Sequence, residues 1–204
     1  MKTDIYTLAH EVKNPLCVVK GYLEMINKEN FEKYKEIIEE ELNNSIYILD
    51  NYLEYKKVTL NKEVMDINLL LLDIKKSYKT YLKKQGINLK IKLIDDDIYL
   101  YADYNKLKQV FYNIIKNSCE AFSKNIVIDY EINNNEITIC VKNDGIKIEE
   151  DSLFKIGTNY TSKVMGNGIG VNLSKKIIEL HNGKIEYKNN LDFGISVYIT
   201  LLLS

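Results

Sequence analysis

Two consecutive apolar stripes constrain the first quarter of the chain more than any other feature of the sequence. In each stripe the positions recur at steps of three and four residues, which is typical of a helix that buries one face. We therefore predict helices over residues 3–27 and 31–57, with Asn30 as the N-cap of the second helix. The stripes comprise Ile5, Leu8, Val12, Leu16, Val19, Leu23 and Ile26, and then Phe31, Tyr34, Ile38, Leu42, Ser45, Leu49 and Tyr52.

The two predicted helices are expected to pair as an antiparallel hairpin, because only a short polar loop separates them. Two helices cannot enclose a core, so hairpins from two chains are predicted to form a dimeric four-helix bundle. Packing of the hairpin against the rest of its own chain is the alternative to a homodimer.

The rest of the chain alternates between helix and strand patterns. The segment from Val58 to Met65 is interpreted as a linker, and Gly86 is suited to end the helix that follows it. The order of elements predicts an α/β sandwich with a mixed sheet and helices on one face, so the fold class is α+β with domains at residues 1–58 and 59–204. Helices are expected at 67–85, 103–123 and 170–181, and strands at 87–93, 98–102, 126–132, 136–141, 184–188 and 195–203.

Composition and charge narrow the classes of function. The net charge of -1 gives no electrostatic reason to expect a nucleic-acid partner. All 28 basic residues are lysine, so phosphate contacts must come from lysine, backbone N–H groups or a metal ion. Apolar runs such as residues 69–72 are too short to cross a bilayer, and the N-terminal residues lack the apolar core of a signal peptide. We therefore expect a cytoplasmic protein with no transmembrane segment.

The residues around His10 form the first candidate site. His10 lies off the apolar stripe, Glu11 follows it directly, and Pro15 falls inside the same predicted helix. A proline there removes a backbone hydrogen bond and costs about 3 kcal/mol, so a kink beside an exposed His–Glu pair indicates a local requirement. Taken alone, His10 would be better explained as an ordinary surface histidine on an amphipathic helix, and Pro15 shifts the balance.

The segment His10-Glu11-x-x-Asn14-Pro15-Leu16 resembles the phospho-acceptor box of two-component sensor histidine kinases. The resemblance implies that the ring of His10 attacks the γ-phosphate of ATP while Glu11 accepts the proton from the other ring nitrogen. It also implies that Asn14 helps to place water for dephosphorylation of the partner protein. These roles require an ATP site elsewhere in the chain.

Four later segments carry patterns that suit a nucleotide. Three glycines precede the predicted helix at 170–181, where backbone N–H groups can approach phosphates. Asn113 and Asn117 lie four residues apart, so their amides share a helix face and can offer oxygen to Mg²⁺. Each pattern is weak by itself, because paired asparagines are commonly a solvated face and a glycine loop can also bind a dinucleotide. The remaining segments are residues 141–148 at a strand end and residues 154–163, which end at Lys163.

In order and spacing, the four segments resemble the N, G1, F and G2 boxes of the histidine-kinase ATP-binding domain. That domain shares its fold with the ATPase domains of Hsp90, gyrase and MutL. The resemblance implies ATP and Mg²⁺ as cofactors, with Asn117 as the main metal ligand and Asn113 as its supporting neighbour. It also implies a lid hinged at its glycines and a phosphate contact from Lys163. The implied nucleotide-binding residues are Asn113, Asn117, Asn143, Gly145, Lys163, Gly166, Gly168 and Gly170.

The G1-like segment departs from the family pattern. The usual sequence is Asp-x-Gly-x-Gly, whereas residues 143–147 read Asn-Asp-Gly-Ile-Lys. Asn143 then stands where the family has its adenine-reading aspartate, as in some kinases related to sporulation. A register shifted by one residue, with Asp144 in the pocket, is the less favoured alternative.

His181 is the second of the two histidines. It resembles the His–Gly turn that often closes the last helix of this fold. We expect it to interact favourably with the helix dipole rather than to take part in catalysis.

Three functions remain open at this point. The first, which the resemblance favours, is an ATP-dependent protein-histidine kinase that autophosphorylates His10, transfers the phosphoryl group to an aspartate in the receiver domain of a response regulator, and also dephosphorylates that regulator. The second is a phosphotransfer protein with a relic ATP domain, similar to the sporulation-initiation phosphotransferase. The third is an ATPase of the Hsp90 type, against which Asn113 argues because such enzymes place a glutamate at that position.

Overall fold

The computed structural model describes residues 2–93, 97–153 and 169–204, and these form two compact units. The first unit is Met1–Lys57 and the second is Val58–Ser204. The predicted α+β class, with a helical region followed by a mixed-sheet α/β domain, is confirmed. No helix within the described ranges combines the length and the apolar character needed to cross a membrane.

The first unit is a hairpin of two long helices, α1 (Lys2–Met25) and α2 (Phe31–Lys57). The loop between them is held by polar side chains. Asn30 stands at the N-cap position, since its carbonyl accepts from the N–H of Tyr34 at 3.0 Å. Its side chain, however, accepts from the N–H of Asn27 and donates to the carbonyl of Met25, so it closes the loop instead of capping the helix.

The two helices of the hairpin bury only part of their apolar surface against each other. Val19 and Ile48 are buried, and the rings of Tyr22 and Tyr34 lie 4.9 Å apart where the helices meet near the loop. A second set of apolar side chains remains exposed in the single chain, including members of both predicted stripes. This set includes Ile5, Leu16, Leu23, Phe31, Leu42, Ile46, Leu49 and Leu53.

The second unit is built on a five-stranded mixed sheet of order β2-β4-β5-β7-β6. The β2–β4 pair is parallel and the other three pairs are antiparallel. Alternate side chains of the central strands are buried, and they form the core against the helices. The strands are β2 (Asn88–Ile91), β4 (Asn125–Asn133), β5 (Glu136–Asn143), β6 (Lys184–Asn189) and β7 (Ile195–Leu202), and the helices are α3 (Ile67–Lys84), α4 (Tyr104–Glu120), α5 (Glu150–Leu153) and α6 (Ile169–Leu180).

A small second sheet includes the last three residues of the predicted linker. Strand β1 (Glu63–Asp66) pairs antiparallel with β3 (Tyr99–Ala102). The interpretation of residues 58–65 entirely as linker is therefore wrong from residue 63 onwards. Asp66, the last residue of β1, also caps α3, because its carboxylate accepts from the N–H of Asn68.

Candidate functional site

The hairpin presents two of the three predicted acceptor residues to solvent. His10 and Asn14 are exposed on α1, one turn apart. Pro15 lies inside the helix and is buried, so the helix contains its proline without ending there. A nucleophilic ring nitrogen on His10 can therefore be reached from outside the hairpin.

Glu11 differs from the expected exposed His–Glu pair, because its side chain turns into the hairpin. It is 8% exposed, and neither carboxylate oxygen has a hydrogen-bond partner. Burial without a partner disfavours the charged form, which raises the pKa of Glu11 to about 7. A carboxylate of that basicity can accept a proton near neutral pH more readily than an exposed glutamate can.

Asn143 ends β5 and lies at the centre of a buried hydrogen-bond network in the second unit. It is 3% exposed. Its Oδ1 accepts from the N–H of Gly145 at 3.0 Å and from the N–H of Ile195 at 3.4 Å. Its Nδ2 donates to Oγ of Ser118 at 3.1 Å. Three separate parts of the fold therefore fix this one amide.

The orientation of the Asn143 amide follows from its neighbours. Both N–H groups that face Oδ1 are donors, so rotating the amide would set donor against donor. Ser118 Oγ donates to the carbonyl of Ile114 at 2.9 Å, so it is available to Asn143 as an acceptor. Two N–H groups occupy Oδ1, and one proton of Nδ2 is engaged. The second proton of Nδ2 has no acceptor among the described residues.

The carboxylate of Asp144, the alternative adenine ligand, accepts hydrogen bonds that stabilise a turn. One carboxylate oxygen accepts from the N–H groups of Lys124 and Asn125, both at 2.8 Å. The other accepts from the side-chain amide of Asn125 at 2.8 Å. These bonds tie the end of β5 to the start of β4, and they argue against the register that places Asp144 in a pocket.

Two glycines allow the backbone to approach closely around Asn143. A Cβ on Gly145 would lie 2.5 Å from the carbonyl oxygen of Ala121. A Cβ on Gly194 would overlap the carbonyl oxygen of Asn143, and Gly194 also has a φ of +71°. Gly145 was predicted as a site residue. Gly194 and Ser118 were missed, because their neighbours lie far away in the sequence.

Asn113 and Asn117 face different surroundings, although they lie one turn apart on α4. Asn113 is 2% exposed, and its amide donates to the carbonyl of Gly170 and to Oγ of Ser174, both at 3.1 Å. It therefore holds the first turns of α6 against α4. Asn117 is only partly buried, so its side chain is the more accessible of the two. Ser174 was not foreseen from the sequence.

Gly170 is the one predicted lid glycine among the described residues. It lies in the first turn of α6, beside Asn113. Lys163, Gly166 and Gly168 lie outside the described residues, as does the predicted polar segment 154–163.

His181 has a structural role that corrects the expected dipole interaction. It is 6% exposed, its Nε2 accepts from the N–H of Asp103 at 2.9 Å, and its Nδ1 lies 2.7 Å from the carbonyl of Ile177. These partners require a neutral ring with its proton on Nδ1. Burial lowers the pKa of His181. A neutral ring is not the cation that a helix C-terminus favours, and it instead links α6 to the residue that caps α4.

Acidification is expected to destabilise the second unit through His181. Because the pKa of His181 is lowered in the folded chain, the unfolded chain binds this proton more readily. The contribution of neutral His181 to the free energy of unfolding is therefore complete above about pH 6.5 and declines below it. The resulting slope of the free energy of unfolding against pH is at most about 1.4 kcal/mol per pH unit. Urea unfolding between pH 7.5 and 5 measures it, with amide exchange in α6 as the local readout. In His181→Gln that part of the slope should disappear, and an unchanged slope would contradict the assignment.

Comparison with known proteins identifies both units. Residues 102–204 match the family described as histidine kinase-, DNA gyrase B-, and HSP90-like ATPase. Residues 5–61 match the His Kinase A (phospho-acceptor) domain. Sporulation kinase B of Bacillus subtilis is 32% identical over 96% of this chain and 48% of its own length. Sporulation kinase A of the same species is 32% identical over 95% of this chain and 33% of its own length.

Solved structures agree in fold across both units. The histidine kinase ThkA, in complex with the response regulator protein TrrA, gives a TM-score of 0.81 at 25% identity, over 96% of this chain and 60% of that one. The histidine kinase AdeS of Acinetobacter baumannii gives 0.73 at 18% identity, over 96% of this chain and 98% of that one, which supports the fold alone.

The chain therefore belongs to the histidine kinase-, DNA gyrase B- and HSP90-like ATPase family. Because a phospho-acceptor domain precedes that ATPase domain, it is the catalytic core of a sensor histidine kinase. The chain spans about half or less of the length of the two sporulation kinases that it matches.

Proposed function

We propose that the chain is an ATP-dependent protein-histidine kinase. In this proposal it autophosphorylates His10, transfers the phosphoryl group to an aspartate of a response regulator, and also dephosphorylates that regulator. The observation that carries the proposal is the exposed His10 on a phospho-acceptor hairpin that precedes an ATPase domain in the same chain.

The acceptor chemistry is assigned to residues of α1. His10 attacks the γ-phosphorus of ATP, a bond forms between a ring nitrogen and phosphorus, and ADP leaves. Glu11 is assigned to accept the proton from the other ring nitrogen, which requires its buried carboxylate to turn out of the hairpin towards His10. Asn14, one turn further on and exposed, is assigned to placing water for dephosphorylation of the regulator.

The nucleotide is assigned to the second unit, with Asn117 offering its amide oxygen to Mg²⁺. A single neutral oxygen suits this ion, which usually keeps several waters and takes its other ligands from the phosphates. The described residues contain no cluster of three or more acidic, histidine or cysteine side chains that could hold a metal without the nucleotide. Bound Mg²⁺ supplies charge neutralisation at the phosphates. Asn113 is assigned to positioning α6, because its amide is engaged there.

Homodimerisation is part of the proposal. The exposed apolar side chains of α1 and α2 need a partner surface, and a second hairpin supplies the same surface by symmetry. Leu16, Leu23 and Leu49 are among the residues that the partner hairpin would cover.

Lys163, Gly166 and Gly168 are assigned to the segment that covers the phosphates of the bound nucleotide.

A labelling experiment tests the proposal against the relic phosphotransfer alternative. Incubation with Mg-ATP labelled at the γ-phosphate should give a protein-bound label that is labile in acid and stable in alkali. A chain that binds no Mg-ATP, but accepts a phosphoryl group from a phosphorylated receiver domain, would instead be the phosphotransfer protein. An ATPase of the Hsp90 type would release phosphate without forming the acid-labile adduct.

The nucleobase preference is expected to follow from Asn143. Its Oδ1 already accepts two N–H groups, so a donor rather than an acceptor remains for the base. The wild-type chain should therefore bind ATP less tightly than Asn143→Asp, by about tenfold, and discriminate poorly against GTP. Calorimetry with ATP and GTP measures both, and Asn105→Asp on the exposed face of α4 controls for the added charge. If Asn143→Asp weakens ATP binding, Asn143 does not read the base.

A further inference from the structure

The second unit contains an open groove of about 690 Å³ between the C-terminal half of α3 and strand β2, which we call the α3–β2 groove. Its apolar lining includes Leu72 and Leu82 from the helix and Ile87 and Leu89 from the start of β2. The groove does not involve any residue assigned above to ATP or to phosphoryl transfer.

Lysines line the helical side of this groove. Lys75, Lys76, Lys79 and Lys83 all contribute, and no acidic residue lies among the lining residues. Within the described part of the chain, none of the four forms an ion pair. The only acidic residue of α3 is Asp73, whose carboxylate is engaged by Nζ of Lys108 at 2.7 Å and by the hydroxyl of Tyr104 at 2.8 Å. The groove therefore carries uncompensated positive charge on a chain whose net charge is -1.

The opposite side of the groove is an edge strand. β2 is the first strand of the sheet order and, within residues 2–93, 97–153 and 169–204, pairs only with β4. The N–H of Asn88 donates to the carbonyl of Lys124, the residue before β4, and the N–H of Lys92 donates to the carbonyl of Ile128 in β4. Successive backbone groups of a strand point in opposite directions, so those of Leu89 and Ile91 point away from β4. They offer a row of donors and acceptors to another strand.

We propose that the α3–β2 groove binds an extended acidic segment of a partner protein, which adds to β2 as a further strand and sets its carboxylates against the lysines of α3. Such strand addition takes affinity from main-chain hydrogen bonds and selectivity from alternate side chains. Acidic residues at every second position would face the helix, and the residues between them would lie on the opposite face of the sheet.

The spacings of the two sides match this occupant. Lys75, Lys79 and Lys83 recur every four residues, which is about 6 Å along a helix. Alternate side chains of an extended peptide recur at about 6.7 Å. Three carboxylates of one strand can therefore each lie near one lysine without distortion of either backbone.

Two other anionic partners fit the groove less well. A free phosphate needs cations that converge on one point, whereas these lysines extend along about 12 Å of helix. An anionic membrane would use the lysines, but a bilayer has no backbone groups to pair with the open edge of β2. A membrane also contacts a convex surface better than the floor of a groove.

A synthetic peptide of about eight residues, alternating Glu and Val and labelled with fluorescein, tests the proposal on the full chain without nucleotide. Anisotropy should show saturable binding that weakens with salt. The Gln-for-Glu peptide and the peptide N-methylated at alternate residues should each bind about tenfold more weakly. Bound peptide should also protect the amides of Leu89 and Ile91 from hydrogen exchange.

Charge-reversal variants locate the binding. Lys76→Glu combined with Lys79→Glu should weaken the acidic peptide by about tenfold or more. Lys142→Glu combined with Lys184→Glu, on exposed strand positions, should change the affinity for the acidic peptide by less than about twofold. The proposal is overturned if both double variants lose the same affinity for the acidic peptide. It is also overturned if the acidic peptide does not bind, or if N-methylation leaves its binding unaffected. Binding to phosphatidylserine vesicles through these lysines with no protection of β2 overturns it as well. Because nucleotide is absent, these outcomes are independent of kinase activity.

Discussion

Gly194→Ala is expected to destabilise the second unit by more than about 3 kcal/mol and to abolish nucleotide binding. Gly194 has a φ of +71°, which costs an alanine about 1–2 kcal/mol before any contact is considered. The new Cβ would also overlap the backbone carbonyl of Asn143 and approach its Oδ1. Relief of that overlap requires β7 to move away from the end of β5, which separates Ile195 from the amide that it helps to fix.

Gly86→Ala is the matched control for Gly194→Ala. Gly86 has a nearly identical φ of +67°, but nothing lies within 4 Å of a Cβ placed there. Gly86→Ala should therefore lower the free energy of unfolding only by the cost of the positive φ, about 1–2 kcal/mol, and the variant should keep its affinity for ATP. Urea unfolding and calorimetry of the two variants measure the difference. Equal destabilisation would show that the close approach to Asn143 does not matter.

Asn117→Ala is expected to reduce labelling from Mg-ATP by more than about 100-fold while the fold is retained. The physical reason is that the proposed magnesium ion loses its protein oxygen, so the charge on the phosphates is no longer neutralised in the correct position. The side chain of Asn117 is only partly buried. The midpoint of urea unfolding should therefore change little.

Two variants on the same helix separate metal binding from packing. Asn105→Ala, on the exposed face of α4, should leave labelling unchanged. Asn113→Ala should lower stability and labelling together, because it removes the donor to Gly170 and Ser174 at the start of α6. If Asn117→Ala labels normally at saturating Mg-ATP, Asn117 is not the metal ligand.

The elements with local signals could be predicted from the sequence. Helical periodicity located α1 and α2, and Gly86 was recognised as the end of α3. In each case the determining contacts lie within a few residues. β1 could not be predicted, because its four residues show no clear alternation and its partner strand begins at Tyr99.

The site was less predictable where it depends on contacts between distant segments. The chain pattern placed Glu11 beside His10, but its burial depends on how α1 packs against α2. The resemblance of residues 143–147 to the G1 box pointed to Asn143, whereas the use of its Oδ1 depends on Ile195, which the sequence does not place nearby. The neutral state of His181 likewise depends on the N–H of Asp103 from another helix. Long-range backbone donors leave no mark in a local pattern.

The most direct test of the central claim is the site of phosphorylation. After incubation with Mg-ATP labelled at the γ-phosphate, peptide mapping should find one acid-labile, alkali-stable phosphoryl group on His10. His10→Gln should carry none, whereas Lys13→Gln, which is exposed on the same helix, should be labelled like the wild type. The only other histidine, His181, is 6% exposed with both ring nitrogens engaged, so it offers no alternative acceptor. Label that persists in His10→Gln, or that survives acid, would contradict the account.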